Sequence, residues 1–156
     1  MNKKFEFTGE TKVILGRHTL HRIRALISFG KVEAGELGGW IEKEENIDPS
    51  GNAWVYGNAR VYGNAQVYGD AWVYKCGAIF WISAVGSRND TATFFACKDR
   101  KIKVIVGCFF GDLDEFAAAV QKTHGDNTYA KVYRRAIEMA KERIKMDDMP
   151  EESNDG

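Results

Sequence analysis

A chain of 156 residues can bury a core as one domain or two intimate halves, and its 22 Lys and Arg balance its 22 Asp and Glu. A net charge near zero argues against a coat for nucleic-acid polymers, whose affinity rests on neutralising phosphates, yet leaves room for a small anion held by two or three local cations. The first ten residues hold no apolar run, which speaks against a signal peptide or membrane anchor, and three cysteines without a Cys-x-x-Cys pair fit a reduced, cytosolic protein.

Residues 4–15 alternate weakly and predict short strands around a Thr8-Gly9-Glu10 turn. Residues 17–26 predict a strand with Leu20, Arg22 and Arg24 on one face and His21, Ile23 and Ala25 on the other. Arg17, His18, Arg22 and Arg24 stand close together there, as a solvated edge or as an anion-binding face. The turn Gly35-Glu36-Leu37-Gly38-Gly39 leads to Trp40, placed to cap the apolar end of a repeat that begins at Gly51.

Residues 51–74 are four consecutive six-residue units, Gly-Asn-Ala-Trp-Val-Tyr, Gly-Asn-Ala-Arg-Val-Tyr, Gly-Asn-Ala-Gln-Val-Tyr and Gly-Asp-Ala-Trp-Val-Tyr. A fixed short period signals stacked structural units. Val55, Val61, Val67 and Val73 suit a pleated buried surface, Ala53, Ala59, Ala65 and Ala71 suit tight inner corners, and Gly followed by Asn or Asp suits sharp turns. At a coil of about 18 residues, Trp54 stacks on Trp72, Tyr56 on Tyr74 and Asn52 on Asp70. Such an aromatic ladder needs a cover, from the C-terminal part or another subunit, or else it is a stacking platform for a ligand. Ile41, Ile47 and Val55 extend the pattern backward, with Asp48-Pro49 as a corner insertion.

Beyond the repeat, Ala78–Val85, Thr91–Cys97 and Ile102–Phe109 are apolar β-type runs with short polar links and predict an antiparallel meander. Asp112 and Glu115 spell a capping box for a helix with Leu113, Phe116, Ala117 and Val120 on one stripe. Gly125 ends it. A second helix carries Tyr129, Val132, Tyr133, Ala136, Ile137, Ala140 and Ile144 on one face, with Tyr129, Tyr133 and Ile137 as a candidate pairing face for a dimer. The acidic stretch from Asp147 predicts a disordered tail.

Two polar loops carry mixed chemistry. Arg88, Asn89 and Asp90 offer a guanidinium fork, an amide and a carboxylate suited to phosphate or ribose, or form an ordinary hairpin turn. Thr123, His124, Asp126 and Asn127 offer an imidazole beside helix N-terminal amides, a natural anion site, or form a plain joint between helices. Arg22 and Trp72 complete the candidate ligand-binding set, as a further cation and a base-stacking ring. No P-loop, dinucleotide fingerprint or zinc-ligand spacing is present, and no cofactor, metal ligand or catalytic group is assigned.

The hexad resembles the hexapeptide repeat of the left-handed parallel β-helix. The expected fold class is mixed β and α+β: residues 1–36 as an N-terminal β segment, 37–76 as a left-handed β-helix, 77–146 as a small antiparallel sheet with two helices, and 147–156 as the tail. Many proteins with that repeat are acyltransferases using a projecting His, but Leu37–Tyr74 contains none. The motifs Gly35–Asn46, the Gly-Asn-Ala-x-Val-Tyr units, Gly86–Thr91, Gly107–Gly111 and Thr123–Asn127 together resemble a family of small phage and prophage hexapeptide-repeat proteins of unknown function. The phage context, not a motif of that family, suggests a non-enzymatic protein of the host bacterial cytoplasm that sequesters a nucleotide-like immune signal of the cyclic or ADP-ribose type, as a trimer like many left-handed β-helices or as a dimer paired through the helical half. Its alternatives are an assembly module using the repeat as a surface and, third, an acyltransferase or signal-degrading hydrolase relying on His124, His21 or His18.

Overall fold

The computed structural model describes residues 2–150. Strands β1 (Phe5–Ile14) and β2 (His18–Ala25) form an antiparallel hairpin turned at Leu15 and Gly16, both at positive φ. The expected turn at Thr8-Gly9-Glu10 is instead a bulge inside one ten-residue strand, where the register shifts between Phe7 and Thr11 around Gly9. A second irregularity, between Arg22 and Arg24, breaks the expected alternation of β2: Leu20, Ile23 and Ala25 are its buried residues.

Strand β3 (Leu37–Ile41) joins β2 antiparallel on one side and β5 (Arg60–Val61) parallel on the other, completing a sheet in the order β1-β2-β3-β5. Two glycines allow this approach. A Cβ on Gly38 would come within 2.8 Å of the Val55 carbonyl, and one on Gly39 within 2.7 Å of the Ala59 carbonyl.

The expected left-handed β-helix is not formed. The repeat contributes strands of only two residues, β4 (Trp54–Val55), β5 and β6 (Trp72–Val73), and the third unit only an isolated bridge from Val67 to Ile47. These ladders fall into separate small sheets: β4 pairs with β6 alone, and β5 belongs to the N-terminal sheet. No solenoid sheet runs through them. Four hexads supply little more than one layer of units, and a solenoid needs about three stacked repeats to bury a continuous core. The antiparallel β1–β2 hairpin takes the place a further layer would have occupied.

The 18-residue register itself is present, with Trp54 opposite Trp72 and Val55 opposite Val73. Both indoles are buried, so this ladder is core rather than an outer platform. Its cover over Trp54 comes from the N-terminal side, where Phe29 and Phe5 pack edge-on at 5.3 and 6.2 Å. Buried Asn46 ties the loop before the repeat to it: its carbonyl accepts from the amides of Glu42 and Lys43, and its amide donates to the carbonyls of Gly63 and Ala65.

Strands β7 (Ile79–Val85), β8 (Asp90–Ala96), β9 (Ile102–Val106) and β10 (Phe109–Asp112) make an antiparallel sheet in the order β10-β9-β8-β7. The run expected as one strand from Ile102 to Phe109 is broken at Gly107-Cys108, where φ of +57° at Gly107 lets the chain double back. Helices α1 (Leu113–His124) and α2 (Thr128–Arg143) come next. Asp112 accepts from the Glu115 amide and Glu115 from the Asp112 amide, closing the capping box at 2.9 and 3.0 Å. Phe116, Val120, Tyr133, Ala136, Ile137 and Ala140 turn toward the sheet and bury. Tyr133 and Ile137 are therefore core, while Tyr129, Val132 and Met139 are the exposed apolar residues of α2. Residues 147–150 are held against the fold: Met149 is buried, and Asp148 bonds Lys75 Nζ at 2.7 Å and the Tyr74 hydroxyl at 3.0 Å. The rest of the expected tail, 151–156, lies outside the described residues. No helix among the described residues is long and apolar enough to cross a membrane.

Candidate functional site

The two polar loops meet. The β7–β8 turn and the end of α1 frame one cleft of about 290 Å³, together with the β9–β10 turn and the first half of α2. Each wall has a local cause. Gly86 at φ +74° and Asn89 at φ +55° make the tight turn that presents Ser87 and Arg88 to solvent. A Cβ on Gly86 would fall onto the Tyr133 hydroxyl, so the turn can rest on that ring only because position 86 is glycine. Gly125, at φ +60°, ends α1 and donates its amide to the Gln121 carbonyl, leaving Thr123 and His124 at the rim. Gly107-Cys108 closes the far side, where a Cβ on Gly107 would stand 3.3 Å from Asp90 Oδ2.

The floor is apolar and aromatic: Phe109 lies 5.2 Å from Phe116, and Phe116 packs edge-on at 5.3 Å against Tyr133. The His124 ring stacks on Tyr133 at 6.0 Å with 29° between planes, and also contacts Tyr129 at 5.4 Å. Burial and, second, the nearby Asp90 carboxylate raise the Tyr133 hydroxyl above its ordinary pKa, so it stays a neutral donor at physiological pH. Arg88 pairs with no carboxylate among the described residues. A free guanidinium, an imidazole, a carboxylate and an aromatic floor can hold a phosphate or carboxylate through charge-assisted bonds and accept hydroxyl or amine protons at Asp90.

Of the candidate residues, Arg88, Asp90, Thr123 and His124 line this cleft. Asn89 turns to a neighbouring hollow shared with Lys43, Asn64 and Thr91. Asp126 points to solvent and pairs with Arg134, which also binds the Gly125 carbonyl at 2.7 Å and so laces the helical joint. Asn127 caps α2 by accepting the Ala130 amide, which uses an N-terminal donor expected to be open to an anion. Arg22 lies on β2, bonded to the Gly38 carbonyl and 3.9 Å from Glu10. Its neighbours are matched too, His18 by Glu42 at 2.8 Å and Arg24 by Glu6 at 3.5 Å, so these three side chains are satisfied rather than aimed at a ligand. Trp72 is core.

Cys108, Phe109, Phe116 and Tyr133 are cleft residues that site reasoning on the sequence passes over. The Gly before Cys108 inside an apolar run is the signal for the turn that brings Cys108 here. Tyr133 reads as one of a helix's core stripe, and its spacing carries no sign that this end of the stripe is open.

One group has the composition of a metal site, Asp70, Cys97 and Asp99, with donor atoms within 4.8 Å of one another. Lys103 Nζ stands among them, 2.9 Å from Asp70 Oδ1 and 3.1 Å from Asp99 Oδ2. Burial raises the Cys97 thiol far above its ordinary pKa and keeps it protonated. The lysine ammonium serves as the cation of this cluster.

No protein-family model matches this chain, and comparison with curated proteins gives no match.

Proposed function

We propose that the protein binds and sequesters a small, anionic, nucleotide-like molecule in the cleft between the β7–β8 turn and the end of α1. The observation that carries this reading is the convergence of Arg88, Asp90 and His124, from two segments more than thirty residues apart, over an aromatic floor. Arg88 takes the phosphate, Asp90 accepts ribose or base protons, and the Phe109, Phe116 and Tyr133 surface takes the apolar part. A volume of about 290 Å³ suits one nucleotide unit, at the small end of ligand pockets at roughly 300–1,000 Å³. The resemblance to phage proteins supplies the context: a nucleotide-derived immune signal in the host cytoplasm, held by a homo-oligomer.

The test is native mass spectrometry of the protein with a pool of cyclic and ADP-ribose-type nucleotides, followed by titration calorimetry on Arg88→Ala. A discrete added mass, released unchanged on denaturation, and an affinity lowered about tenfold or more in the variant are expected, since bonds to charged groups contribute about 1.5–3 kcal/mol. Binding that is undiminished in folded Arg88→Ala removes the cleft from the function. A second reading, an enzyme acting on the same ligand, is favoured by the exposed Cys108 thiol and the His124 imidazole sharing the cleft. Its mark is release of a changed mass that ceases in Cys108→Ser and His124→Ala.

A further inference from the structure

A larger cleft, of about 670 Å³, opens between the tip of the β1–β2 hairpin, the second repeat unit, the start of β7 and the last residue of α2. Two guanidiniums converge on it, Arg60 from the variable place of the repeat and Arg143 from the end of α2. Neither pairs with a carboxylate among the described residues, whereas Arg22, Arg24 and Arg134 all do. Arg143 donates Nη2 to the Cys76 carbonyl at 3.5 Å, which leaves most of its five N–H donors unspent. Opposite them stand aromatic rings, with Tyr62 edge-on to Trp81 at 4.8 Å and 86°. Trp81 is the one tryptophan of four that is not buried. Burial and then Arg60 hold the nearby Lys12 ammonium below its ordinary pKa, with Cys76 and Glu10 acting the other way.

We propose that this cleft is a binding site for a small ligand that carries a phosphate-type anion on a planar aromatic group, with Arg60 and Arg143 on the anion and the Tyr62–Trp81 pair against the ring. The size falls inside the range of small-molecule sites, about 300–1,000 Å³. Aromatic surface beside arginine is the combination that recognises a stacked base and its phosphate. The proposal stands on residues that share nothing with the Arg88 cleft, so either site can fail without the other.

The cysteines make the two sites separable in one experiment. Cys76 lines the larger cleft and is exposed, Cys108 lines the smaller one and is exposed, and Cys97 is buried. Full-length protein is titrated with ADP while tryptophan fluorescence is read, and iodoacetamide labelling of each thiol is followed by peptide mass spectrometry. Saturable quenching with selective protection of Cys76 is expected, and Arg60→Ala and Arg143→Ala each weaken it about tenfold or more. Both arginines are exposed, so the variants keep the wild-type circular dichroism and thermal midpoint. Millimolar ADP that neither quenches nor slows Cys76 labelling overturns the proposal, as does protection of Cys108 alone or unchanged affinity in the arginine variants.

Discussion

Replacing Gly86 by Ala tests how the small cleft is held in shape. At φ +74°, an L-residue meets the left-handed penalty, about 1–2 kcal/mol. The added methyl also collides with Tyr133, whose Cζ would lie 2.8 Å away, even beyond the nearer hydroxyl, and overpacking of this kind costs about 1–3 kcal/mol. A reduced unfolded-state entropy offsets about 0.4–1 kcal/mol, so Gly86→Ala should destabilise by roughly 2–4 kcal/mol. Urea denaturation reads this as a lower midpoint at unchanged slope. A double-mutant cycle with Tyr133→Phe separates the causes. Loss of the hydroxyl relieves part of the collision and none of the backbone penalty, so the two substitutions should couple by about 1 kcal/mol or more. Additivity within about 0.5 kcal/mol would refute the contact. A displaced turn also moves Arg88, so Gly86→Ala should weaken ligand binding in the same direction as Arg88→Ala.

Three other perturbations probe the frame. Lys4 is buried, donating Nζ to the carbonyls of Asp48 and Ala53 at 3.0 and 2.7 Å, and burial lowers its pKa to about 8. The unfolded chain then holds the proton longer than the folded one between pH 8 and 10.5, so wild-type stability should rise over that window relative to Lys4→Met, by up to about 3 kcal/mol. Urea midpoints of the two proteins at pH 7.0 and 9.5 measure it, and a flat difference contradicts it. Asn46→Ala strands the Lys43 amide and the Gly63 and Ala65 carbonyls next to the repeat, while the Glu42 amide keeps the Val61 carbonyl, and should cost about 3 kcal/mol by the same assay, at ~1–3 kcal/mol for each group left unmatched. Lys103→Met removes the ammonium from between Asp70 and Asp99, and a thermal midpoint that responds to zinc in the variant but not in the wild type is expected.

The features that could be read from the sequence are those that short-range chemistry decides. The Asp112–Glu115 box closes because its partners are three residues apart, and Gly125 ends α1 because only a left-handed residue can turn the chain there. The period of the repeat likewise gives the pairing of Trp54 with Trp72. That pairing alone does not make a solenoid, because whether another layer stacks on β4 and β6 depends on what competes for the edge. Here β3 is claimed by β2 as well as β5, through contacts between segments some twenty residues apart that no local pattern encodes. The cleft is legible only in its loops: Arg88 and His124 advertise themselves by residue type, whereas Cys108 and Tyr133 reach it through a turn and a helix phase.

The arginines show why a balanced total charge says little about local recognition. Of nine in the chain, Arg22, Arg24 and Arg134 are each matched by a carboxylate. Arg60, Arg88 and Arg143 have no such partner among the described residues, and all three stand on one of the two clefts beside aromatic rings. Arg17, Arg100 and Arg135 are also unmatched there but line neither cleft, which makes them the controls. A surface evolved only for solubility would give all six similar weight. Ligand binding should therefore fall on substituting Arg60, Arg88 or Arg143 and hold on substituting Arg17, Arg100 or Arg135, and equal losses across both sets would mean that a diffuse positive field, not either cleft, attracts the anion.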